Sequence, residues 1–323
     1  MEELLALLNQ YDKEKHIKIL KDKIKVENYD RILVPIYDEI WLDEEKQDLP
    51  YEVITQILDS YYCLPERIDL AFLFCWQSIN NSYNELLIKN SAVNFLNDTK
   101  GISLLVDMIS DSYTNKYKNY LEDYIDKAPI KIFKFISNYI LKGYVIDKSG
   151  YSEKYYSSSY KSFQKRFFRL YEDICTSYGE AFKSLCNPQV NITGTKVLLN
   201  IKAEDINKSM QIINSLANKL ETLVKVKNVK FKSSNLEIEY MHTFVDKDVI
   251  EFMIACVLYA NRCNNFHGNV ASRLNSIYSN EESYLANKYI FLLAHMVCAI
   301  SLNINGYLSD SCLYKLKQNN ELL

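Results

Sequence analysis

A chain of 323 residues, 48% apolar and 24% charged, is long enough for one large domain or two ordinary ones and apolar enough to bury a core. A net charge of −3 and a pI near 5.9 exclude a polycation, so any nucleic-acid binding has to use a local basic patch. Seven glycines and five prolines argue against a loop-rich β fold, and eight cysteines without a CxxC pair read as reduced core thiols of a cytoplasmic protein.

The acidic, quickly charged start MEELLALLNQYDKEK does not read as a signal peptide. Leu4, Leu8 and Tyr11, then Ile17, Leu20 and Ile24, recur at helical spacing and predict a charged helix over 1–27. Residues 28–50 read as an acidic, irregular surface loop ending at Pro50, because Asp38, Glu39, Asp43, Glu44 and Glu45 lack the spacing of metal ligands. After Pro65, which suits the first turn of a helix, Ile68, Ala71, Phe72, Cys75, Ile79, Ser82 and Leu86 step by three and four. Further helices are predicted near 102–127, 130–142 and 160–186, punctuated by Gly143 and Gly150 and closed by Pro188.

The period then changes. Val197, Leu199 and Ile201 alternate with Lys196, Asn200 and Lys202 and predict a strand. Ile206, Met210, Ile213, Ala217, Leu220 and Val224 form a helix stripe that Asp205 is placed to cap. Val229 and Phe231, then Leu236, Ile238 and Tyr240, predict a hairpin with Lys230 and Lys232 opposite Glu237 and Glu239. The expectation is a small β-α-β-β unit at about 190–242, set into a helical protein. Residues 247–304 read as two helices around a short break. The apolar run 289–302 has 14 residues, short of the roughly 20 that a membrane span needs, and reads as a core helix.

The break holds Arg262-Cys-Asn-Asn-Phe-His267-Gly268. Upstream, Val249, Phe252, Met253, Cys256, Val257 and Ala260 form an apolar stripe, so Arg262 ends a packed helix. On an unbroken helix, positions five apart lie about 140° apart. Asn264, Asn265 and Gly268 permit a change of path that would turn Arg262 and His267 to one surface. This pattern resembles the motif of the HEPN family (higher eukaryotes and prokaryotes nucleotide-binding), an Arg followed four to six residues later by His, with Asn between them and Gly after. The helix with Trp76, Asn80 and Tyr83 is similar, more loosely, to an aromatic-rich first helix of some members. The resemblance covers about a third of the chain. It departs at Cys263, where active members usually carry a polar residue.

The resemblance implies a mainly α, HEPN-like helical bundle, expected over 61–323; a helical arm at 1–60 and the β-α-β-β insert fall outside it and make the chain α+β overall. It implies a metal-independent endoribonuclease needing no cofactor. Imidazole suits proton transfer near neutral pH, and guanidinium suits the charge that develops on phosphoryl oxygens. Arg262 and His267 would be catalytic, with Asn264 orienting the histidine or holding a phosphate oxygen, and with Asn265 and Gly268 shaping the turn. Family enzymes build this site from two motifs, which implies a homodimer. Many are toxins or antiphage effectors, so a regulatory protein partner is expected, and no membrane. The alternative is an inactive HEPN-like module that binds nucleotide, RNA or a protein.

A second basic region lies at Lys161, Lys165 and Arg169, with Arg166 beside them and Phe163, Phe167, Leu170 and Ile174 on the opposite side. It reads as a solvated helix face or as an RNA track beside Tyr151, Tyr155, Tyr156 and Tyr160. Arg273 is a further candidate phosphate contact. His295 reads as a core histidine, and His242 and His16 have no partner in the sequence.

Overall fold

The computed structural model describes residues 2–24, 29–42, 50–90, 96–232, 239–266 and 280–323. In chain order its helices are α1 (Glu2–Asn9), α2 (Lys13–Lys23), α3 (Tyr51–Tyr62), α4 (Ile68–Asn90), α5 (Asp98–Asp111), α6 (Lys118–Asp126), α7 (Ile130–Lys148), α8 (Ser158–Arg166), α9 (Phe168–Ile174) and α10 (Glu180–Lys183). Strands β1 (Gln189–Val190) and β2 (Val197–Leu198) precede α11 (Ile206–Val226), and β3 (Asn228–Lys232) and β4 (Glu239–Thr243) follow it. The described part closes with α12 (Asp246–Glu251), α13 (Ala260–Phe266), α14 (Glu281–Ile304) and α15 (Asp310–Leu316). The fold is mainly α. Two compact units divide the chain: residues 1–127 with 265–323, and residues 128–264.

In the first unit, α4 packs along α3, α5 and α14. The stripe expected on α4 is its buried side: Ile68, Ala71, Phe72, Cys75, Ile79 and Leu86 lose nearly all their exposure. Helix α14 is apolar on every side and is buried accordingly, from Tyr289 through Leu302. By length and composition it is the one described helix able to cross a membrane, and 94% of its most apolar window is buried within the protein. Inside it, Tyr289 donates to the Tyr124 carbonyl at 2.6 Å, and His295 Nε2 lies 2.8 Å from the Tyr61 hydroxyl.

Helix α3 occupies 51–62, most of it within the stretch expected as a helical arm. Between α1 and α2 the expected single helix breaks, and Asp12 accepts the backbone N–H of Lys15 at 2.6 Å, turning the chain into α2. Pro65 stands before α4, in the turn at 63–67, and not in its first turn.

In the second unit, α7 lies against α11, whose Ile213, Leu216, Ala217, Leu220, Leu223 and Val224 are buried. Gly143 does not end α7. It lies inside that helix with the Tyr160 ring stacked where a β-carbon would sit, so it serves close packing. The expected helix over 160–186 is interrupted at Phe167, whose φ of −118° and ψ of 49° separate α8 from α9. Asp205 caps no backbone N–H of α11; its carboxylate pairs with the Lys208 ammonium in the first turn of that helix at 3.3 Å instead.

Where the sequence predicts strand, helix, hairpin, the described strands between residues 189 and 243 form two separate two-stranded antiparallel ladders, one before α11 and one after it. The first is short, pairing Gln189 with Leu198 and Val190 with Val197, while Leu199 and Ile201 lie outside it. In the second, Val229 pairs with His242, Phe231 with Tyr240 and Lys232 with Glu239. The described part of the returning strand is Glu239–Thr243; residues 233–238, with Leu236, Glu237 and Ile238 of the expected alternation, lie outside the described part. The Lys230 ammonium reaches the Glu239 carboxylate at 3.7 Å along the diagonal of that ladder.

Candidate functional site

Helix α12 runs through a π-helical stretch, Phe252–Tyr259, into α13 without leaving helical structure. All of Val249, Ile250 and Phe252 to Leu258 are buried, which fixes this rod in the second unit. The rod reaches Phe266, so Asn264 and Asn265 lie within it and do not bend the chain. The expected change of path between Arg262 and His267 is therefore absent up to Phe266. His267, Gly268 and Arg273 lie outside the described residues. The boundary between the two units falls between Asn264 and Asn265, within the motif.

Arg262 is half-buried near the end of the rod. Its guanidinium carbon lies 5.9 Å from the centre of the Tyr259 ring, a cation–π distance, and its Nη1 approaches the Cys263 sulfur at 3.9 Å. Cys263 points into the core and is 2% exposed. Asn264 spends both amide hydrogens locally, one on the Ser159 hydroxyl at 3.2 Å and one on the Ala260 carbonyl at 2.7 Å. Ser159 is itself buried on α8, so Asn264 ties α13 to α8.

The second basic region is divided by the break at Phe167. Lys161 and Lys165 are exposed on α8, and Lys161 lies 5.9 Å from the Tyr156 ring centre. Phe163, Phe167, Leu170 and Ile174 are buried, as their spacing predicts. Arg166 is drawn inward: its Nη1 donates to Glu251 Oε1 at 2.6 Å, with only 8% of its side chain exposed. Arg169 is exposed on α9 and has no acidic partner within salt-bridge distance among the described residues.

The structure also assembles a group that the sequence reading missed. An open cleft of about 920 Å³ lies in the second unit, walled by α9 and by β4 with the turn after it. His242 Nδ1 sits 2.8 Å from Asp173 Oδ2 there. An ionised carboxylate can only accept, so in this pair Nδ1 carries the proton and Nε2 is the ring position that Asp173 leaves unengaged. Phe231 and Phe244 hold the imidazole edge-on, with ring centres 6.5 and 5.8 Å away. Tyr240 anchors the same strand by donating to the Asp173 carbonyl at 3.1 Å. Asp173 and His242 are 69 positions apart, on a helix end and a strand, and no local pattern joins them. The alternation of Tyr240, His242 and Phe244 on one side of β4 was the available signal that His242 faces the protein and not open solvent.

Compared with known proteins, this chain matches no family model, no curated protein and no solved structure. Among the described residues, no group of three or more His, Cys, Asp or Glu side chains is disposed to hold a metal ion.

Proposed function

We propose that this chain is a metal-independent endoribonuclease of the HEPN type, in which Arg262 and His267 are completed by a second copy of the protein. The placement of Arg262 carries the reading. It stands at the end of a rod whose apolar residues are buried, with a half-buried guanidinium braced on Tyr259. His267 follows the last described residue of that rod. The helical bundle is read as HEPN-like, with residues 190–242 as its insertion, and the protein as a cytoplasmic toxin or antiphage effector under the control of a partner protein.

The chemistry is internal transfer. The ribose 2′-oxygen bonds to its own phosphorus, the bond to the 5′-oxygen breaks, and a cyclic phosphate and a free 5′-hydroxyl result. Imidazole accepts the 2′-proton and returns it to the leaving oxygen, while guanidinium balances the charge on the phosphoryl oxygens. The Asn264 amide is committed to Ser159 and Ala260, so its role here is to position α13.

One pair of observations favours a second reading, an inactive binding module. The residue after the arginine is a buried cysteine, and the nearest asparagine has no amide hydrogen to spare for a phosphate. Labelled RNA incubated with the purified protein in EDTA separates the two. Cleavage that disappears in His267→Ala, while the mass of the assembly is retained, supports the enzyme. Binding without cleavage supports the module, and neither binding nor cleavage removes both.

A further inference from the structure

We infer that the free edge of β4 pairs with the same edge of a second copy of this chain. The two strands run antiparallel about a twofold axis at Met241, joining the two hairpins into one four-stranded sheet. The contact uses no residue of the Arg262 motif and does not depend on RNA cleavage.

In an antiparallel ladder, positions that exchange both backbone bonds alternate with positions that exchange none, and the latter turn their N–H and C=O groups away from the neighbouring strand. The Phe244 N–H donates to the Lys227 carbonyl at 2.8 Å, so Phe244 is a bonded position. Stepping back by two along the register, His242 opposite Val229 and Tyr240 opposite Phe231 are bonded as well. Glu239, Met241 and Thr243 are therefore turned to the edge that β3 does not cover. Among the described residues, nothing pairs with the backbone N–H and C=O groups of Met241 or Thr243. That edge is also open: Met241 and Thr243 line the cleft of about 920 Å³, and Met241 keeps 55% of its surface exposed.

A bare edge of this kind is a template for another strand, and proteins that stay apart block it with lysine, proline or a bulge. Strand β4 carries no lysine and no proline, and its register runs unbroken from Glu239 to Thr243. Its residues suit a copy of itself. Laid antiparallel about Met241, the strand puts Met241 against Met241 of the partner subunit, Glu239 against Thr243 and Tyr240 against His242. Each outward-turned residue meets another, so both backbone groups of each are used. No two like charges stand directly opposite. On the cleft wall, Arg169 and Glu172 have no ion-pair partner among the described residues, and a second copy brings an opposite charge for each, the self-complementarity that a twofold contact requires. A nucleic acid or an acidic peptide would instead meet Glu172, Asp173 and Asp248 there.

Sedimentation velocity of the full chain over a range of concentrations tests the pairing. Met241→Lys sets two ammonium groups against each other across the axis. It is expected to weaken association at least tenfold and to halve the mass of the assembly. Thr243→Lys adds the same charge two residues along the same edge, opposite Glu239 of the partner subunit, and is expected to leave the assembly intact. Both side chains are exposed, and unchanged thermal melts establish that the variants fold. A monomeric wild type, or a mass that Met241→Lys leaves unchanged, overturns the edge pairing. Equal dissociation by both lysines overturns it too, because the register about Met241 separates them. Unchanged mass in Met241→Lys with His267-dependent RNA cleavage present overturns the edge and leaves the ribonuclease reading standing. Halved mass in Met241→Lys alone, in a protein that cuts no RNA, supports the edge and overturns the ribonuclease.

Discussion

Asn264 and Ser159 stand 105 positions apart in the chain and 3.2 Å apart in space, joined by a hydrogen bond from the asparagine amide to the serine hydroxyl. That bond, with the 2.7 Å bond to the Ala260 carbonyl, makes Asn264 a clamp between α13 and α8. Asn264→Ala is expected to lower the unfolding free energy by about 1–2 kcal/mol, the usual worth of such bonds when one partner stays half-buried. Urea denaturation measures this. Retained stability with lost RNA cleavage would mean that the amide is free to hold substrate and that the clamp is unimportant.

Arg166 makes a sharper case, because the sequence places it beside three surface cations and the structure places it against Glu251 at 2.6 Å. Removing one partner of a largely buried ion pair strands the other charge, which costs about 3–5 kcal/mol where burial is complete and less here, since Glu251 keeps 19% of its side chain exposed. Arg166→Ala is expected to destabilise the protein by about 2–3 kcal/mol, whereas Lys165→Ala leaves stability within about 0.5 kcal/mol. Thermal unfolding of the two variants side by side distinguishes them. Equal, small effects would show that Arg166 belongs to the solvent-exposed basic face after all.

Helix periodicity is where sequence reading succeeds. The period-3.6 stripe on α4 and the wholly apolar α14 follow from helix geometry alone and are buried where the spacing names them; on α11 Ile213, Ala217, Leu220 and Val224 are buried as named, whereas Ile206 and Met210 stay exposed. Phe163, Phe167, Leu170 and Ile174 are buried as expected even though the helix breaks under them, because a break of one residue barely rotates the core side. What fails is local punctuation. Gly143 reads as a stop, yet serves as a seat for the Tyr160 ring, and the difference lies in a partner 17 positions away. Asp205 reads as a cap, yet pairs with Lys208. The His242–Asp173 pair is a tertiary fact with no local signature. Of the Arg262 motif, the sequence supplies the residue types and spacing, and the structure adds the continuous rod to Phe266, the core-facing Cys263 and the committed Asn264.

Gly143 allows a direct check of that packing. A β-carbon there would collide with the body of the Tyr160 ring, and Tyr160 is fully buried with its hydroxyl 2.6 Å from that of Tyr171. The ring cannot swing away without breaking that bond. Gly143→Ala is therefore expected to destabilise by about 1–3 kcal/mol, opposite in sign to the gain of about 0.4–1 kcal/mol that an alanine gives at an unhindered helical glycine. Chemical denaturation reads the sign directly. A stabilised variant would mean that α7 and α8 do not meet at this point.

His295 sets the acid limit of the first unit. Its ring is 1% exposed, and burial pulls its pKa down to about 3 from the ordinary 6.5. The Ile36 backbone N–H donates to the Tyr61 hydroxyl at 2.7 Å, and burial holds that hydroxyl protonated, so it donates in turn to His295 Nε2 and fixes the neutral ring. Below pH 6.5 the unfolded chain takes up a proton that the folded ring refuses, so stability falls as pH drops from 6.5 toward 3, on the order of 3 kcal/mol by pH 4. Asp38 acts lower. Desolvation raises its carboxyl, but hydrogen bonds from the Ser309 side chain and backbone and from the Ile40 N–H outweigh it and hold the pKa at about 2, so its contribution is present above pH 4 and is lost as pH falls toward 2. Urea denaturation between pH 7 and pH 4 is expected to show the first decline in the wild type and a flatter profile in His295→Gln, whose amide oxygen still accepts from Tyr61. Proton NMR of the His295 ring gives a reading that does not depend on the variant's folding: the ring stays neutral at pH 4.5. A ring that titrates near 6.5 would place water beside it and remove the burial on which this pH profile rests.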